Sequence, residues 1–572
     1  MPIVPVNTGT RPNDGTGDSP SVAFGKTNDN ATYLDLAKLD KVGDGSRLTG
    51  VTKPADLPAA VAAQAPNVSL PIGIGSSLPS PSLAKIARGQ VPIFDMFDGA
   101  VRDGSTANEP LLNQMLSDFN GAEVLPSGQG RGPILAKNSP IIVPPNAKLR
   151  SVGGVQKAVI TRLHGYTGDT MQMGSPTAGA GTAEVDGFWL LQPDRLLGAI
   201  PTSTTSLPGR ITTAMTPVST IVVPTSAASL ATHLRVYGSQ GGGFRGWATG
   251  MPSAVVQHGG DGFMLDLEYF GGVWDRLRPA LQESFAVLTT IWDPVHGYPT
   301  KTRVVRPNWI GGNVSAELRA VPINNKTYSA NERLGPYCGW WHAAGECCGV
   351  EAGFTGGFNH SNFLFYPGGP ELVNGSPAWV QIRPKIHLSD IDESMEFGIR
   401  VHRSDTSQAV VNRPSFFGND LHGQTIGQGG IEITAADGLY SVSRLKMVAN
   451  RLCGYQGAGM RLLAVDGGEV ISTDINGYNI AAFDTTQGDP IDYGVGALLG
   501  GTTRNVSVHG IRGGGGVNND TDVNNCQWVF VDTTSGSTTP PNQGNTYRYV
   551  RPINLGLAPG VAVAAGTNDT GS

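Results

Sequence analysis

Two stretches of this chain bring carboxylates to spacings at which they could act as a pair. In Phe263-Met264-Leu265-Asp266-Leu267-Glu268, the residues Phe263, Leu265 and Leu267 alternate with Met264, Asp266 and Glu268. A strand here would turn both acids to one face. Residues two apart on a strand lie about 6.6–6.8 Å apart. Glycoside hydrolysis commonly uses two carboxyl groups, about 5–5.5 Å apart for retention and about 6.5–9.5 Å for inversion. Trp274 follows closely and offers an aromatic platform. The second stretch holds Asp390, Asp392, Glu393 and Glu396. Crowded carboxylates raise one another's proton affinity, which suits a general acid. Ile386, Leu388, Asp390 and Asp392 share one parity, so a strand through them must bend or end near Ser389. Arg383, Lys385, His387, Arg400, His402 and Arg403 flank these acids. They are the cations that a lyase would want around a uronic-acid carboxylate, or that would bind an acidic glycan. Trp340 and Trp341, with Trp292, Trp309 and Trp379, fall between strand-like runs, where loops are expected. Their faces suit the apolar faces of sugar rings.

Other chemistries find little support. No phosphate loop, nucleophile elbow or zinc-protease motif occurs. Cys338, Cys347 and Cys348 cluster while Cys453 and Cys526 stand apart, without the short regular spacing of a zinc site. They are expected to be free, mostly buried thiols, with no metal and no cofactor. A net charge of −6 with no basic block leaves no electrostatic footprint for nucleic acid. No apolar run reaches membrane-spanning length, and Met1-Pro2-Ile3-Val4-Pro5 lacks the charged and apolar regions of a secretory signal. Synthesis in the cytoplasm without membrane insertion is the expectation.

The elements that must position these residues are strands. The chain has 79 Gly and 40 Pro in 572 residues and only 15% charged residues, which points to an all-β protein with many turns. An internal repeat appears when Gly398-Ile399-Arg400-Val401, Gly430-Ile431-Glu432-Ile433, Gly459-Met460-Arg461-Leu462 and Gly494-Val495-Gly496-Ala497 are aligned. Their separations are 32, 29 and 35 residues, and a second strand-like run begins 11 or 12 residues on, at Val410, Val442, Val470 and Val506. Fixed internal spacing with variable total length predicts stacked coils with loops on one side, the glycines marking corners. A set of sandwiches would instead show hairpin turns every 8–12 residues.

Ahead of the repeat, Leu112, Met115, Leu116 and Phe119 recur on one helical face, with Asn108 placed to cap and Pro110 in the first turn. Strand-like runs follow at 122–126, 140–145 and 148–153. With Phe97-Asp98-Gly99-Ala100-Val101-Arg102-Asp103-Gly104 before the helix, this order resembles the start of the pectate-lyase-like superfamily of right-handed parallel β-helices. The resemblance implies a helix that covers the first coil. Further upstream, Val6-Asn7-Thr8-Gly9-Thr10, Asn13-Asp14-Gly15-Thr16-Gly17-Asp18 and Asn28-Asp29-Asn30 resemble the short head at the start of many tailed-bacteriophage tail spikes and fibres.

The resulting expectation is an all-β, right-handed parallel β-helix with an N-terminal capping helix and a small virion-anchoring head. Residues 1–50 form the head, 51–92 a Pro/Ala/Ser-rich neck, 93–155 the cap and first coil, 156–520 the β-helix, and 521–572 a C-terminal segment that stabilises a trimer. The resemblances imply a homotrimer in the phage tail, docked to tail or baseplate proteins through residues 1–50, that binds host surface polysaccharide. Depolymerisation is the favoured activity, hydrolysis before lyase chemistry. A non-enzymatic fibre or adaptor is the alternative. The candidate catalytic residues are Asp266, Glu268, Asp390, Asp392, Glu393 and Glu396. The candidate substrate-binding residues are Trp274, Trp340, Trp341, Arg383, His387 and Arg400.

Overall fold

The computed structural model describes residues within 92–191, 234–270, 286–311, 338–377, 381–476, 495–513, 528–532 and 544–552, with short gaps inside these ranges, and a last strand at Asn568–Asp569. The expected head and neck, Trp274, Trp379, Glu393 and Glu396 lie outside the described residues.

Pairing between strands of successive coils is parallel throughout. Among the described residues, twelve strands, from Ile141–Val143 to Trp528–Asp532, stack into one sheet, and twenty-eight strands of two to eight residues into a second that turns the corners of the coil. The result is a right-handed parallel β-helix, as the repeat predicts. Most coils run from a strand of the twelve-stranded sheet through a loop to two or three short strands and back, whereas Glu184–Leu191 and Gly242–Thr249 each serve as one long strand in their coils. One coil contains Phe397–Arg403, Val411–Asn412, Ser415–Phe417 and Asp420–His422.

The corner between the last two short strands is made the same way in coil after coil. Asp266, Arg306, Ala352, Leu388, Ala449 and Ser472 have φ between 50 and 55°, and Gly418 and Gly510 take the equivalent places. The left-handed conformation is unfavourable for L-residues. Here the amide of each corner residue donates to a carbonyl of the next coil at 2.8–3.0 Å, from Asp266 N to Val305 O through Gly510 N to Arg548 O. Just after this corner, buried Asn419 donates to Ile386 O and Asn450 Oδ1, and Asn450 donates to Phe416 O. These amides tie the wall from inside and hold the strands that follow.

Gly398, Gly430, Gly459 and Gly496 stack above one another, with Met460 paired to Ala497. The last step is therefore two residues longer than the Gly494 alignment implies. A Cβ at Gly430 or Gly459 would run into the side chains of Leu452 or Ile475, so these glycines make room at the start of strands Gly429–Ala435 and Met460–Leu462 and lack the left-handed φ of the corners. The second run is also re-registered. Val442 pairs with Val411 and Val465, and Val506 with Gly468. A spacing count cannot see the two-residue difference, because loop length varies while inward apolar residues set the register.

The cap forms as expected. Helix Glu109–Phe119 buries Leu112, Met115 and Leu116, and Asn113 exchanges hydrogen bonds with Pro140 and Ile142 of the first coil. Asn108 is the N-cap residue, and its carbonyl accepts from Leu112 N, but its side chain makes no capping bond. Its buried amide binds Val101 O and Leu135 N and ties the preceding loop to the coil. Arg102 pins that loop to Asp95, Leu125 and Gly132. At the other end, Trp528–Asp532, Thr546–Arg548 and Arg551–Pro552 continue the stack, so coils run past residue 520 into the segment expected to be separate. No helix among the described residues is long and apolar enough to cross a membrane.

Candidate active site

The two acid pairs meet different fates. Asp266 is a corner residue at φ 51°, and strand Gly262–Leu265 ends before it. Met264, Leu267 and Tyr269 point inward, and Phe263 is 40% exposed. The step of three between Met264 and Leu267 is the turn itself, so the expected single strand carrying Asp266 and Glu268 together does not exist. Asp266 instead binds the guanidinium of Arg306, the corner residue of the next coil, at 2.8 and 3.1 Å. Glu268 begins the next strand, facing outward and half-buried.

Asp390 and Asp392 do share one strand, Asp390–Asp392, with Ile391 buried between them. The expected break near Ser389 is the corner at Leu388. Both carboxylates therefore face out, from backbone positions about 6.6–6.8 Å apart by strand geometry. Their neighbours come from adjacent coils. Asp390 pairs with Phe354 on one side and Asp420 on the other, while Asp392 pairs with Gly356 and His422. Glu268 stands in the column of Asp390 but three coils away, through Asn308 and Phe354. That is about 14 Å at the spacing of stacked strands. The ring of Phe354 leans over Gly356, leaving a flat apolar surface and a place without a side chain beside Asp392.

Beyond Asp390 and Asp392 the outward-facing side chains are Asp420, His422, Arg451 and Cys453, the last of them buried. His422 Nε2 lies 2.9 Å from Asp420 Oδ1, and its Nδ1 lies 3.1 Å from Cys453 Sγ. Arg451 reaches Asp420 Oδ2 at 3.3 Å. Burial raises the Asp390 carboxyl above its usual range, with Asp420 adding to it against an opposing pull from His422. Burial also pushes Asp420 up, but His422 and Arg451 more than offset it and hold it low. Asp420 and Cys453 together raise His422 to about 10. Among the described residues, Asp420, His422 and Cys453 are the one group whose donor atoms could hold a metal ion.

Several residues expected to bind sugar are placed elsewhere. Trp340 and Trp341 lie in strand Cys338–His342, all five residues of which are buried, and not in a loop. Trp340 packs in the lumen against Phe363 and Phe365, and Trp341 donates to Tyr366 O. Trp309 is likewise a buried strand residue. Arg400 is 1% exposed and pairs with buried Glu432 at 2.8 Å, which Arg461 also binds. It cannot meet a ligand on the surface. Arg383 is an exposed corner residue. His387 is half-buried on the adjacent face, bonded to Ser415 and edge-on to Phe417.

Sequence reasoning missed Phe354, Asp420, His422 and Cys453. A signal was present: Ser389-Asp390-Ile391-Asp392, Asn419-Asp420-Leu421-His422 and Asn450-Arg451-Leu452-Cys453 repeat one pattern, a polar residue followed by polar-apolar-polar. The described cysteines form no disulfide.

No protein-family model and no curated protein matches the chain. Among solved structures, it is similar to the Dettilon tailspike protein, at 10% identity and a TM-score of 0.46, over 89% of this chain and 74% of the other. It is also similar to tailspike protein 3 of bacteriophage CBA120, at 10% identity and a TM-score of 0.43, over 87% and 63%. A third is the A-module of an Azotobacter vinelandii mannuronan C-5 epimerase, at 10% identity and a TM-score of 0.37, over 84% and 99%. The parallel pairing of successive coils defines the fold independently of these overlaps.

Proposed function

We propose that the chain is the receptor-binding spike of a tailed phage, a trimer whose residues 1–50 attach to the tail and whose coil binds host surface polysaccharide. The head-like motifs at 6–30 and the cap leading into a parallel β-helix support this reading. We further propose that the spike hydrolyses the glycan with Asp390 and Asp392. The observation that carries this is their shared strand: both carboxylates face out, and their backbone positions, about 6.6–6.8 Å apart, allow a carboxyl separation within the inverting range. Phe354 supplies an apolar surface for a sugar ring beside them. Asp420 lies closer to Asp390, but His422 and Arg451 already engage it.

The test is purified full-length protein on intact host polysaccharide, followed by reducing-sugar release and NMR of the first product anomer. Cleavage with inversion is expected. Retention would replace the pair by Asp390 and Asp420, whose strands are about 4.8 Å apart. Binding without any release of reducing ends would leave the adhesive fibre as the correct reading.

A further inference from the structure

We infer that Asp420, His422 and Cys453 form a site for one zinc-class divalent cation on the outer face of the coil. The inference goes beyond the proposed function, because it stands whether or not the glycan is cleaved. One ligand atom from each residue lies within 4.8 Å of the other two. They come from adjacent coils: Asp420 and His422 share a strand, and Cys453 is the register partner of His422. The strands that carry them follow the buried Asn419 and Asn450 amides, so the backbone is fixed and only side-chain rotations are needed to close on an ion.

The shape of the cluster distinguishes a cradle from a simple chain of hydrogen bonds. The two nitrogens of an imidazole point in nearly opposite directions. If each contact were in line, the oxygen and sulfur would sit on opposite sides of the ring, farther apart than 4.8 Å. Instead the three atoms converge. Asp420 Oδ1, 2.9 Å from Nε2, is buried yet accepts no hydrogen bond of ordinary geometry. Its partner oxygen Oδ2 is occupied by Arg451 at 3.3 Å, which orients the carboxylate with Oδ1 turned to the cluster.

The donor set selects the ion. Sulfur, nitrogen and oxygen together suit zinc, at about 2.3 Å for Zn–S and about 2.0–2.2 Å for the others. Calcium and magnesium take oxygen ligands, so a thiolate argues against them. Three protein ligands leave a fourth position open for water or a sugar oxygen.

The test uses chelator-stripped full-length protein and Co(II) as the probe. One equivalent per chain is expected, with thiolate-to-metal charge-transfer absorption, displacement by Zn(II) and no displacement by equal Ca(II) or Mg(II). Cys453→Ser should remove the charge-transfer band, and His422→Gln should weaken affinity at least tenfold, with circular dichroism unchanged. If Cys453→Ser does not fold, His422→Gln, at a half-exposed position, carries the test alone. No stoichiometric uptake, a band that survives Cys453→Ser, or unchanged affinity in folded His422→Gln would each overturn the site.

Discussion

His342 and His422 lie on opposite sides of the coil wall and respond to it in opposite ways. His342 points into the lumen between Trp340 and Phe365, with ring centroids 4.9 and 5.4 Å away, and neither of its nitrogens has a hydrogen-bond partner. Burial pushes it down to about 3, against a smaller upward pull from its own backbone. His422, half-buried on the outer face, is raised to about 10 by Asp420 and then Cys453. The lumen removes water and puts nothing polar in its place, so a titratable group there weighs only on stability. The outer face keeps some water and gathers side chains from successive coils into one column, so charge of either sign finds a partner. Chemistry belongs to the second region.

Breaking this contrast at its lumen side should have the largest effect. An unfolded chain protonates His342 near the ordinary histidine value, whereas the folded chain does so only near 3. Between those values the unfolded state holds the extra proton. The stability present above about pH 6.5 is therefore lost as pH falls toward 3, by on the order of 4–5 kcal/mol in total. Denaturant melts of His342→Leu should show a flatter fall in acid than wild type across that window. An identical slope in both proteins would mean that His342 is not held neutral in the lumen.

On the outer side, Asp390→Asn and Asp392→Asn should each lower turnover about 10²-fold or more with binding retained. Asp266→Asn and Glu268→Gln should leave turnover near wild type, because a corner separates the two acids and Glu268 lies three coils from Asp390. Steady-state rates on the same polysaccharide compare all four. Loss of activity in the 266–268 variants with none in the 390–392 variants would reverse the assignment of the site.

The smallest effect concerns what Asp266 does instead. Its pair with Arg306 is exposed, the Arg306 side chain retaining 59% of its accessibility. Exposed pairs of this kind contribute about 0–1 kcal/mol. Asp266→Asn should therefore shift stability by no more than about 1 kcal/mol in chemical denaturation. A loss of several kcal/mol would show that the corner depends on this ion pair and not on its backbone ladder.

Much of the scaffold was legible because its signals are local. The helical period of Leu112, Met115, Leu116 and Phe119, the recurrence of Gly398, Gly430 and Gly459, and the break near Ser389 all reflect short-range requirements of spacing and space. The site was legible only in part. Asp390 and Asp392 announce themselves as acids two apart, but Asp266 and Glu268 do so equally well.

By itself the sequence determined that this chain builds coils, where they are capped and which residue types recur along their faces. Only the tertiary structure decided which acids face outward together and which side chains meet across coils. The physical reason is that a β-helix wall is registered by the apolar residues that reach its lumen. Ile391, Leu421 and Leu452 point inward one above another, and that stacking alone brings Asp390, Asp392, Asp420, His422 and Cys453 onto one outer surface from segments about thirty residues apart.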